Sequence, residues 1–258
     1  MSEDRKLGQA RQAEKKDRVH VYVATPAYNG RVDDCYSQSL AEAAFTCPLF
    51  QVYFSAAVVR GGAFIDLTRN LFAHWFLTLP DLQECSHLFF IDSDLKFEPR
   101  AFVGLAKAGK PICAGAYRRR QEDEDYPIAL SAHPTGGGLW IETDDLGGEW
   151  VMCDRVPTGF LCISRQVLKE MAESADKIEI QGQGQVPRLF YTYIDERGRF
   201  VGEDFAFCDD YRKKYGVPIP VWPDLDFVHG GKAGNYKAFL KAKIEDEEAA
   251  AKATSSAA

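Results

Sequence analysis

The chain is poor in the features that would make its function obvious. No stretch of its 258 residues approaches the ~18 to 20 uninterrupted apolar side chains a membrane helix needs, so no membrane span is expected. The first eighteen residues, MSEDRKLGQARQAEKKDR, hold no apolar h-region, and no secretory signal is read there. Seven cysteines (Cys35, Cys47, Cys85, Cys113, Cys153, Cys162 and Cys208) are scattered without a C-x-x-C pair, which argues against a thiolate zinc site. They read as reduced, buried thiols of a cytoplasmic protein. No glycine- and lysine-rich triphosphate loop follows the first strand, and neither a Gly/Ser linker nor an internal repeat divides the chain. Basic groups number 31 against 38 acidic ones, a formal charge of −7, so a general nucleic-acid-binding surface is not expected.

What remains is one continuous globular pattern between two polar ends. Residues 1–18 are mostly charged and read as a disordered tail; residues 241–258 read as a disordered or helical one. Between them VHVYVAT, FQVYFSAAV, SHLFFIDSD and PICAGAY have the apolar, β-branched and aromatic make-up of strands. Helical stretches at 33–46, from Asp66, and across EPRAFVGLAKAG separate them. This alternation predicts an α/β fold with a largely parallel sheet and helices on both faces. The second half is mixed. It reads as a hairpin-like pair, ALSAHPTGGGLWIET against GGEWVMCDRV, with glycine-rich turns, a strand running into a helix at VPTGFLCISRQVLKEMAES, and short strands at RLFYTYID and GRFVG. A helix over EDFAFCDDYRKKYG and a last strand IPVWPDLDFVH complete it.

Ligands of open α/β sheets sit beyond the carboxyl ends of the strands. There the apolar run LFFI ends in Asp92, Ser93 and Asp94. Carboxylates two apart in an extended segment point the same way and suit one cation or one diphosphate–ribose unit, although a solvated Asx pair closing a strand has the same spelling. Glu203 and Asp204 stand at a helix start, where they serve as caps or as site acids. His229 follows the last strand ahead of a glycine pair and would complete a carboxylate–imidazole set, which suits manganese.

In this order the motifs resemble the GT-A glycosyltransferases, small viral and bacterial nucleotide-sugar transferases above all. The matching segments are TPAYNG, DLTRN, HLFFIDSDLKFEP, CAGAYRRR, VPTGFLCISRQVLKEM, GEDFAFCDDYRKKYG and VHGGKAGNY, and a single domain of that fold is expected over 19–240. The resemblance implies transfer of a hexose or pentose from a nucleoside-diphosphate sugar, UDP-linked, to an acceptor hydroxyl on a glycan, a lipid or a hydroxymethylated DNA base. It implies Mn²⁺ or Mg²⁺ on Asp94 and His229, with Asp92 on the metal through water or on ribose and Ser93 beside it. Thr25, Pro26, Ala27 and Tyr28 would hold base and ribose, with Tyr28 stacking or else covering core. Arg69, with Asn70 a lesser candidate beside it, would support the nucleotide or be a plain helix-surface arginine. Lys232 would neutralise the β-phosphate or be a solvated lysine. Asp204 would be the general base of an inverting reaction, or an acceptor-holding group in a retaining one, with Glu203 orienting a substrate. Arg118, Arg119 and Arg120 form either an acceptor-phosphate patch or a loop neutralised by the QEDED that follows. A nucleotidyltransferase and a non-catalytic carbohydrate-binding module are the competing classes. The expected location is the cytoplasm, a host's if the chain is viral.

Overall fold

Strand β1 (Val19–Ala27) alternates its side chains between two apolar layers: Val21 and Val23 enter one, Tyr22 and Ala24 the other. The computed structural model describes residues 18–256 apart from 61 and 63, so most of the expected N-terminal tail lies outside the described residues. After β1 the chain runs through α1 (Asp34–Thr46), β2 (Val52–Arg60), α2 (Ile65–Thr78), β3 (His87–Ile91), β4 (Leu95–Phe97), α3 (Pro99–Lys107) and β5 (Ile112–Gly115). Then come β6 (Ala129–Leu130), β7 (Ile141–Thr143), β8 (Glu149–Arg155), β9 (Phe160–Ser164), α4 (Arg165–Ser174), β10 (Lys177–Ile180) and β11 (Gly184–Pro187). The chain closes with β12 (Tyr193–Ile194), β13 (Phe200–Val201), α5 (Glu203–Tyr215), β14 (Ile219–Trp222), β15 (Asp226–His229), β16 (Lys232–Asn235) and α6 (Tyr236–Ser256).

The central sheet has nine strands in the order β2-β1-β3-β9-β5-β14-β8-β6, with β7 also on β8. Strands β2, β1, β3, β5 and β14 run one way, while β9 and β8 run against them. The fold is therefore mixed α/β. Phe89, Ile91, Phe160 and Cys162 pack with Tyr36 of α1 and Phe102 of α3 on one face. Leu88, Phe90, Leu161 and Ile163 pack with Phe72 and Phe76 of α2, Leu168 of α4 and Phe207 of α5 on the other. Each fully buried Phe or Leu contributes about 1.5–3 kcal/mol relative to exposure, so the two layers supply most of the driving force.

Three expectations change. The strand read through to Asp94 stops at Ile91, and Asp92–Asp94 form a turn in which the Leu95 N–H donates to the Asp92 carbonyl at 3.2 Å. The last strand, read as continuous from 219 to 229, is two. Pro223 interrupts it, β14 stays in the central sheet, and β15 pairs with β4 and β16 in a separate three-stranded sheet. The hairpin β10–β11, not read from the sequence, pairs Ile178 with Val186 and Ile180 with Gly184. Residues 241–256 continue α6. Trp150 is buried and lies 6.0 Å from Trp222, as core tryptophans do. All seven cysteines are unpaired thiols and six are buried. Among the described residues no helix is long and apolar enough to cross a membrane.

Candidate metal centre

The carboxyl ends of β3 and β5 and the start of antiparallel β9 meet at one edge of the sheet, and the polar groups there are tied together. The Asp92 N–H donates to the Gly159 carbonyl at 3.0 Å. The Tyr117 hydroxyl donates to Asp92 Oδ2 at 3.1 Å and accepts from the Gly159 N–H at 3.0 Å. A Cβ on residue 159 would lie 2.2 Å from both Asp92 Oδ2 and the Tyr117 hydroxyl, so only glycine fits this approach. Neither Tyr117 nor Gly159 carried a site role in the sequence reading, though Tyr117 stands just beyond a strand's carboxyl end.

The same turn delivers Asp94 to β15. His229 pairs with Leu95 across the β4–β15 ladder, which brings His229 Nε2 to 3.4 Å from Asp94 Oδ2. One ligand atom from each of Asp92, Asp94 and His229 lies within 4.8 Å of the others. The imidazole is oriented as metal-binding histidines are. Its Nδ1 lies 2.9 Å from the Arg118 carbonyl, which can only accept, so Nδ1 carries the proton and Nε2 presents its lone pair to the cluster. Asp94 is 8% exposed, and burial pushes its carboxyl up, with Arg120 opposing and Asp92 adding to the rise. Its Oδ2 touches Arg120 and lies 3.4 Å from His229 Nε2 but has no hydrogen bond of good geometry among the described residues. Two carboxylates, one with an unsatisfied buried oxygen, and an oriented imidazole form a donor set that fits a divalent cation such as Mn²⁺.

Arg69 joins this cluster to the second acidic pair. Its side chain, 4% exposed, places Nη2 3.4 Å from Asp92 Oδ1 and pairs closely through Nη1 with Glu203. The surface-arginine alternative therefore does not hold. Glu203 and Asp204 open α5, whose last turn carries Arg212, Lys213 and Lys214 and whose C-cap is Gly216 at φ 70°. That distribution suits the helix dipole at both ends. Asp204 Oδ1 accepts from the Phe205 N–H at 2.8 Å; burial pushes this carboxyl up, Arg69 opposes the shift and Glu203 adds to it. Asn70 faces away from the cluster, donating to the Phe190 carbonyl and accepting from the Leu189 and Phe190 N–H groups.

The remaining candidates divide. The Thr25 side chain is fully buried and bonded to the Tyr36 hydroxyl at 2.6 Å, so it holds α1 to β1. Ala27 is buried, Pro26 is half-buried, and Tyr28 is 74% exposed, covering no core. The loop beyond Tyr28 reaches the acidic turn, since the Asp33 N–H donates to the Ser93 carbonyl at 2.8 Å. Lys232 is paired with Glu122 at 2.7 Å. The three arginines do not form one patch. Arg118 donates to the carbonyls of Gln121, Glu122 and Ala233, and Arg119 pairs with Asp125 at 2.8 Å. Of the three side chains Arg120 alone reaches the cluster, touching Asp94 and donating through Nε to His229 Nε2 at 3.2 Å. A 630 Å³ cavity lined by Phe97, Glu98, Asp226 and Asn235, among others, includes none of the cluster residues.

No family model matches the chain, and no curated protein matches it. Among solved structures it is similar to the crystal structure of A197 from STIV, with a TM-score of 0.46 and 12% identity over 82% of this chain and 85% of that one.

Proposed function

We propose that Asp92, Asp94 and His229 hold a divalent cation, Mn²⁺ or Mg²⁺, and that the chain is a glycosyltransferase of GT-A type using a nucleoside-diphosphate sugar. The observation that supports this reading is the convergence of Asp92, Asp94 and His229, whose ligand atoms lie within 4.8 Å of one another, with His229 Nε2 3.4 Å from the buried Asp94 Oδ2. A cation there would act as a Lewis acid on a departing diphosphate. The chain's own groups do the rest. Asp92 and the exposed Tyr28 face nucleotide, and Arg69 holds Asp92 and Glu203 in place. Asp204, with its raised affinity for a proton, takes the acceptor hydroxyl's proton as the acceptor oxygen bonds to the anomeric carbon and the bond to diphosphate breaks. In a retaining transfer Asp204 holds the acceptor instead. An acceptor bearing a hydroxyl is all the reading requires. A DNA acceptor would want the arginine patch, which Arg118 and Arg119 do not supply.

The test is a thermal-shift and calorimetric panel of UDP, GDP and their sugars, with and without Mn²⁺. The wild-type chain is expected to show a cation-dependent shift with one of them, and Asp94→Ala to lose both that shift and donor hydrolysis. A variant that hydrolyses donor normally would overturn the assignment. Pyrophosphate release from a nucleoside triphosphate would point to a nucleotidyltransferase, and glycan binding without nucleotide to a binding module.

A further inference from the structure

Arg120 holds a position that the proposed cation would contest. Its guanidinium contacts Asp94 Oδ2, the oxygen that lacks a proper hydrogen bond, and its Nε donates to the Nε2 lone pair of His229 at 3.2 Å. Two of the three expected ligand atoms are thus already engaged by one side chain. A buried carboxylate left without a counter-charge is strongly unfavourable, so some cation is needed there whether or not a metal is bound.

The surroundings let this side chain leave without moving its backbone. The Arg120 side chain is 62% exposed although the Asp94 side chain beside it is only 11% exposed. The residues on either side of it are pinned: the Arg119 N–H donates to the Asp125 carbonyl at 2.8 Å, Arg118 ties down the carbonyls of Gln121 and Glu122, and Lys232 holds Glu122. Gly230, at φ 55°, gives the arginine its channel, since a Cβ there would lie 2.9 Å from Arg120 Cδ.

From this geometry we infer that Arg120 is a built-in counter-ion that holds Asp94 and His229 in the cation-free chain, yields them to a divalent cation, and then grips the phosphate group that the cation brings. The inference rests on the reading of Asp92, Asp94 and His229 as a cation site. Competition makes the cation bind weakly alone. The released guanidinium, tethered at the rim of the site, offers its planar fork to a diphosphate and makes cation and diphosphate bind cooperatively. Linkage requires the effect to be reciprocal.

Titration of Mn²⁺ into the full chain, followed by calorimetry and by the electron paramagnetic signal of free Mn²⁺, tests this in wild type, Arg120→Ala and Arg120→Gln, with and without UDP. Both variants are expected to bind Mn²⁺ alone about 10-fold more tightly than wild type, within the usual range of coupling factors. UDP is expected to tighten Mn²⁺ binding by a larger factor in wild type than in either variant. Unchanged or weaker Mn²⁺ affinity in folded variants, or an equal UDP factor in all three, overturns the role of Arg120. If Mn²⁺ binding is then still lost in Asp94→Ala, the cation site stands without it. No Mn²⁺ binding in any of the chains, with UDP present, overturns both readings.

Discussion

Arg69 makes one guanidinium answer for two carboxylates far apart in the sequence. It sits among Asp92 and Glu203 at 4% exposure, with its Nε lacking a partner among the described residues. Removing one member of a buried charge cluster typically costs about 3–5 kcal/mol, because the charges left behind stay buried. Arg69→Met is expected to lose stability on that order in urea unfolding, and Arg69→Lys to recover only part, since an ammonium cannot span both acids as a planar fork does. Asp204 gives a pH signature. Its folded-state affinity for the proton is raised, so the unfolded chain releases that proton at lower pH. Stability from this group is therefore present below the unfolded value of about 3.9 and is lost as pH rises through the folded one. Asp204→Asn should leave the melting temperature nearly unchanged near pH 4 and raise it at pH 7. A gain at pH 4 as large as that at pH 7 would contradict the assignment.

Asn70 acts between elements. From α2 it satisfies two backbone N–H groups and one carbonyl of the segment 189–190 at 2.7–2.8 Å, fixing the stretch that leads to β12, β13 and the start of α5. Its side chain is buried, so Asn70→Ala leaves three backbone groups without partners, at roughly 1–3 kcal/mol each before relaxation. Hydrogen exchange is expected to speed up at Leu189 and Phe190 first, because those two amides lose their acceptor. At this scale the sequence was legible where pattern is local. β1, β3 and α1 declare themselves by apolar runs and by period. The β10–β11 hairpin also had its signal, the alternation in KIEI and the glycine at 182 with φ 78°, and went unread. Pro223 likewise marks the break between β14 and β15 that a continuous reading overlooked.

Across the molecule, legibility falls as the contacts that decide a role become longer in range. The acidic residues and His229 stand out because their residue types announce chemistry wherever the chain places them. Arg118, Arg119 and Arg120 are indistinguishable in sequence, and what separates them is a histidine and an aspartate brought in from elsewhere in the chain. Tyr117 and Gly159 are tied to Asp92 by contacts between the ends of three neighbouring strands, β3, β9 and β5, that no local spelling records. Thr25 is a polar residue of β1 whose buried hydroxyl bonds to Tyr36, a contact its local spelling does not record either.

The escape of β15 from the large sheet has a practical meaning for change in this chain. Asp94 immediately precedes Leu95, which faces His229 across one short antiparallel ladder, β4 against β15, so the separation of Asp94 and His229 is set locally. The turns at 136–138, 181–183 and 196–198 lie outside that ladder, and segments grafted there can lengthen without parting the two side chains. The chain can therefore change at these turns while the spacing of this pair stays the same.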